Sequence, residues 1–121
     1  MKPEDIELVA EVTGVHHCAN FIRHGQTFVF RADGVLDAGA STAPLCLGII
    51  AKLQPALLLA QDRMADGLHP MSPRFNTFDC FDTGIDHGGT GKVFVRLRAR
   101  DRISGAFIEP EVKDAGPKTT A

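Results

Sequence analysis

The sequence predicts an α+β domain: a four-stranded, largely antiparallel sheet with one proline-kinked helix packed on one face, in the order β-β-α-β-β. Two observations carry the architecture. Two segments with period-two alternation precede a single long stretch with a helical apolar stripe, and two more strand-like segments follow it. A third sets the scale: 121 residues fit one domain. Hydrophobic content of 44% and charged content of 23% are ordinary for a globular core.

In the first segment, "DIELVAEVT" at 5–13, Ile6, Leu8, Ala10 and Val12 point one way and Glu7 and Glu11 the other, as in a half-buried strand. "QTFVFRADG" at 26–34 repeats the pattern and stops at the turn dipeptide Asp33-Gly34. The period then changes in "STAPLCLGIIAKLQPALLLAQDRMADG". Ser41 or Thr42 serves as a helix N-cap, Pro44 fits the first turn and Gly67 fits a C-terminal stop. Cys46, Ile49, Ile50, Leu53, Leu57, Ala60 and Met64 fall on one stripe. Pro55 lacks an amide donor and crowds the carbonyl of Ala51, so a kink or break is expected there.

After the extended connection "HPMSP", "RFNTFDCFD" at 74–82 reads as a third strand, and the glycine-rich "TGIDHGGTG" as a loop. "KVFVRLRAR" is the clearest strand: Val93, Val95, Leu97 and Ala99 form one face, Phe94, Arg96, Arg98 and Arg100 the other. The pattern fades after Asp101. Residues 1–101 are therefore expected to form the domain, and 102–121, ending "DAGPKTTA", a disordered or partner-bound tail. Phenylalanines fall on both faces of the strands: Phe28 and Phe30 opposite Val29, and Phe78 opposite Phe75. One helix covers one face only, so a homo-oligomer is expected.

Several function classes are disfavoured. A net charge of −2 and the absence of a basic arm argue against nucleic-acid binding. "MKPEDIELVA" is not a secretory signal, and no apolar run approaches the roughly 20 residues that span a membrane. Three cysteines, at 18, 46 and 80, form no CxxC pair and leave any disulfide set odd. Free thiols in a reducing, cytoplasmic setting are expected.

Those thiols are the main candidate chemistry. Cys18 ends strand one, Cys46 lies at the helix start and Cys80 lies in strand three. Zinc or iron takes soft deprotonated ligands, and three Cys plus one His is a known set. His16, His17, His24 or His87 can supply the fourth ligand, with His16 on the same strand face as Cys18. The plain alternative is that cysteine fills small core gaps, most readily at Cys46 on the helix stripe. Cys46 also reads as a reactive thiol, because free amides and the helix dipole in a first turn favour the thiolate, and a nearby His would act as base. His17 and His24 otherwise read as solvent-facing residues flanking a turn before Gly25.

The loop "GIDHGGTGKV" fails the nucleotide motif G-x-x-x-x-G-K-[ST]: Asp86 replaces its first Gly and Val93 its Ser or Thr. No nucleotide cofactor is expected. His87 and Asp86 can still reach a site as a mobile lid, which makes His87 a candidate catalytic partner of Cys46. The arginines of the last strand read as a solvated face on an edge strand.

"CANFIRHGQTFVF", "APLCLGIIAKLQPALLLA" and "FDCFD…GKVFVRLRA" together resemble a family of small, functionally uncharacterised prokaryotic proteins. In that family one cysteine precedes a strand start, a second opens a helix with an internal proline, and a third precedes the last strand. Cys18, Gly25, Cys46, Pro55, Cys80 and Val93–Phe94 occupy the matching places over residues 8–99 or so. Two departures stand out: Gln26 replaces a common acidic residue, and "HGGTG" lengthens the last loop. The resemblance implies that the three-cysteine arrangement is a recurring design.

Three functions follow as expectations. The first is a thiolate metal site of Cys18, Cys46 and Cys80 with a His. The second is a non-catalytic small subunit or binding module docked on a larger enzyme. The third is a metal-free cysteine enzyme using Cys46.

Overall fold

The computed structural model describes residues 2–18 and 20–111. After a single 3-10 turn at Pro3–Asp5, the chain forms β1 (Ile6–His16), β2 (Thr27–Arg31), α1 (Leu47–Ala65), β3 (Thr77–Asp79), β4 (Lys92–Asp101) and β5 (Phe107–Ile108). All pairings are antiparallel, in the order β2-β1-β4-β3, with β5 also on β4. The expected α+β class stands. The sheet has five strands, the fifth being a two-residue strand on β4.

Alternation builds the core as the sequence implies. Ile6, Leu8, Ala10 and Val12 of β1 and Val93, Val95, Leu97 and Ala99 of β4 are buried in one cluster with Phe28 and Phe30. Across it lie Ile49, Leu53, Leu57, Ala60 and Met64, five of the seven stripe positions, as the buried face of α1. Each fully buried aliphatic side chain of this kind contributes roughly 1.5–3 kcal/mol. On the opposite face, Val9 and Val29 are also closed off within the single chain, at 1% and 2% exposure. Phe75, expected in a strand, is 82% exposed outside β3.

Three expectations need correction. The helix begins later: Cys46 is its N-cap, and the hydroxyls of Ser41 and Thr42 accept hydrogen bonds from Val29 N and Thr27 N instead. Both hydroxyls lie against the edge of β2, ahead of the first helical turn. At Pro55, where a kink or break was expected, the helix does not break. β4 is not an edge strand, since β1 lies on one side and β3 and β5 on the other. Its arginines are therefore paired across neighbours: Arg100 with Glu7, Arg98 with Glu109, and Arg98 stacks 3.8 Å from the Phe107 ring centroid. Finally, residues 102–111 turn back onto the domain, with His69 Nε2 2.7 Å from Ile108 O, so ordered structure continues past the expected boundary at Asp101. The rest of the expected tail, 112–121, lies outside the described residues.

At the far end of β1 a register shift between Val12 and Gly14 resets the pleat. Beyond it Val15 pairs Val93 and His16 pairs Lys92. Paired residues share a face, so Val15 and Val93 face the helix side while His16 and Lys92 face away. This end of the sheet carries the candidate sites.

Candidate functional site: a three-thiol cavity at the helix start

Three separate segments deliver the cysteines to one place. Cys18 follows β1, Cys46 caps α1, and Cys80 follows β3, two residues beyond the core-facing Phe78. All three line one cavity of about 340 Å³, completed by Asn20, Gly48, Ile49, Phe81, Asp82, Thr90, Gly91 and Val93. Cys80 is buried, Cys18 and Cys46 are half-buried, and no two are joined as a disulfide.

Two of the sulfurs accept hydrogen bonds. The Asn20 side-chain amide donates to Cys46 Sγ at 3.2 Å, and Val93 N–H donates to Cys80 Sγ at 3.4 Å. Cys46 also sits at the N-terminus of a 19-residue helix, where partial positive charge accumulates. Its far side borders an open groove with Phe21, Pro44, Leu45 and Leu47, so the sulfur is reachable from outside.

The walls are held by a knot in the β3–β4 loop. Asp82 accepts from Gly84 N, Thr90 N and Thr90 Oγ1. Those donors hold its carboxyl well below the ordinary carboxylate range, at about 2. The Lys92 ammonium pairs with Asp79 at 2.9 Å and donates to the carbonyls of Cys80 and Asp82. Its hydrogen bond to Asp79 raises the Lys92 pKa and lowers that of Asp79. Gly91 permits the closest approach: a Cβ there would overlap the carbonyl oxygen of His17.

No family model, curated protein or solved structure matches the chain.

The histidines divide differently from the cysteines. His17 has a left-handed backbone, φ 56°, which ends the strand at His16 and breaks the alternation that would have placed His16 beside Cys18. His16, His17 and His87 line a second cavity of about 480 Å³ with Lys92, Phe94 and the Gly84–Asp86 turn. Neither His16 nor His87 is in the wall of the thiol cavity. His24 is exposed beside Gly25, whose φ of 85° makes the expected turn. Among the described residues, no three His, Cys, Asp or Glu side chains stand as a set that could hold a metal ion.

Sequence reasoning passed over Asn20 and the Asp82–Thr90 knot. Asn20 lies two residues beyond Cys18 in a segment without periodicity, and its partner Cys46 is 26 positions away. An Asp eight residues before a Thr in a glycine-rich loop was the available signal for the knot.

Proposed function

We propose that the three-thiol cavity is the functional site and that it binds a soft metal ion, zinc or iron, through thiolates of Cys18, Cys46 and Cys80. One observation carries this reading: three cysteines from three distant segments line one cavity, and two of their sulfurs already receive N–H donors. Thiolate ligands of structural and redox metals are commonly supported by such donors. The donor chemistry fits the ion, although the side chains as they stand are not a ready-made cage. Rotation about χ1 moves each sulfur between staggered wells, which is the adjustment binding requires. With His16 facing the opposite side of the sheet, a fourth ligand comes from water, substrate or another group. A bound ion would supply either a structural tie or Lewis acidity. Asn20 and Val93 orient the sulfurs, and the Asp82 knot keeps the wall in place.

The test is the metal content of the protein as purified and of Cys46→Ser and Cys80→Ser. About one equivalent in wild type and a loss of most of it in both variants is expected. Less than about a tenth of an equivalent in wild type, after growth with both metals, overturns the reading.

A second reading is favoured by the position of Cys46 alone: a metal-free nucleophilic thiol at a helix N-terminus, hydrogen-bonded to Asn20 and open to the groove. Alkylation of Cys46 by iodoacetamide at neutral pH, faster than that of a free thiol in metal-free protein, supports it. An ordinary rate removes it.

A further inference from the structure

We infer that the groove beside Cys46 holds the apolar tail of an uncharged ligand whose other end enters the three-thiol cavity. It rests on the reading of that cavity as the functional site and names the class of ligand taken there.

Two hollows meet at one sulfur. Asn20, Cys46 and Gly48 line both the thiol cavity of about 340 Å³ and an outer groove of about 530 Å³. Each is in the range of small-molecule pockets, roughly 300–1,000 Å³. A ligand that fills both passes Cys46, with its polar end inside and a chain or ring outside. The rest of the groove is Phe21, Pro44, Leu45 and Leu47. None of the lining residues carries a charge, so an ionic group placed there gains no partner for the water it loses. Asn20, the one polar residue besides the thiol, already spends its amide on Cys46 Sγ. An uncharged apolar tail is the occupant this lining favours.

The apolar wall also lies open to water. Phe21 is 78% exposed and Leu47 79%, with Pro44 and Leu45 exposed beside them. Apolar surface gathered at the rim of a concave site marks a place where a ligand is covered. Phe21 adds a second observation. Its backbone has φ 60°, a left-handed conformation that favours glycine, yet the position carries a phenylalanine turned out to solvent. The turn begins at Cys18, whose carbonyl accepts from Phe21 N–H at 3.2 Å. One turn therefore delivers a sulfur to the cavity and a ring to the groove. Strained residues of this kind cluster at ligand clamps.

The experiment compares N-ethylmaleimide with N-hexylmaleimide on the full chain, as purified and after chelation, with mass spectrometry to locate the adduct. Sulfur adds to one carbon of the maleimide double bond and the thiol proton ends on the other, so no oxidant or leaving group is involved. Rates are divided by those of glutathione, which removes any difference in intrinsic reactivity. Cys46 is expected to prefer the hexyl reagent by about tenfold, below what full burial of four methylenes would give. Phe21→Gly, which suits the backbone there, and Leu47→Ser, on the surface, are each expected to cut this preference about threefold. Phe75→Ser removes an equally exposed ring outside both hollows and should keep it. Equal normalised rates for the two reagents, or no adduct at Cys46 in either sample, overturns the proposal. A preference that survives both Phe21→Gly and Leu47→Ser overturns it too. So does one that fades as protein concentration rises, which would place a second copy in the groove. Metal content is read separately on the same samples. Protein without metal that keeps the preference removes the ion and leaves the tail site, and protein that binds the ion without any preference does the reverse.

Discussion

The two cavities lie on opposite faces of one sheet end and differ in what their polar groups already do. In the thiol cavity, Cys46 and Cys80 accept N–H donors and Asp82 is saturated by its own loop. In the imidazole cavity the three histidine side chains are free of protein partners among the described residues. β4 serves both, since alternation sends Val93 to one and Lys92 and Phe94 to the other. The difference teaches how pleat alternation at one strand end builds two walls of different character, one of sulfurs already reached by N–H donors and one of solvent-exposed imidazoles.

The partition between them rests on the contact of His17 with Gly91, and breaking it gives the largest expected effect. In Gly91→Ala the new Cβ must displace backbone atoms of His16 and His17, which no side-chain rotation relieves. A loss on the order of 4 kcal/mol is expected, at the upper end for one substitution, read by urea denaturation. Both sites should be disturbed in whatever fraction remains folded. A loss below about 1 kcal/mol would mean that the two walls move apart freely.

Ile49→Ala separates the cavities. Ile49 is fully buried, lines the thiol cavity and is absent from the other wall. A loss of about 2–5 kcal/mol is expected. In protein that remains folded, Cys46 alkylation should change while the imidazole signals keep their positions. Shifted imidazole signals would show that the sheet transmits the change.

These particulars show what the sequence makes legible. Period and stripe identify the buried faces, because burial acts residue by residue along a regular element. Ile49, Leu53, Leu57, Ala60 and Met64 follow from spacing alone. Spacing alone does not bring three distant thiols together; the fold places all three in the wall of one cavity. The side of His16 was not legible, for two reasons: the register shift after Val12 reverses the pleat, and the left-handed turn at His17 ends it. Both are single-residue events without a periodic signal. The central position of β4 and the late helix start are likewise decided by tertiary hydrogen bonds, those of β1 and β3 on β4 and of Ser41 and Thr42 on β2.

A smaller effect comes from acid. The folded carboxyl of Asp82, at about 2, is below its ordinary value of 3.8, so it contributes stability that is present above that value. That contribution is lost as pH falls from about 4 toward 2. In metal-free protein, Asp82→Asn should therefore lose less stability over this window than wild type, while starting from a lower value at pH 7. The measure is urea midpoint against pH. Parallel curves for the two proteins would remove the knot as a stabiliser of the loop that walls both cavities.

The smallest expected effect distinguishes the cavities at a single donor. Asn20→Ala removes the amide that reaches Cys46 Sγ and touches nothing in the imidazole wall. The amide holds the sulfur at the cavity wall, so without it the rate of Cys46 alkylation by iodoacetamide at pH 7 should change by about fivefold, the equivalent of about 1 kcal/mol. An unchanged rate means that water replaces the amide without cost.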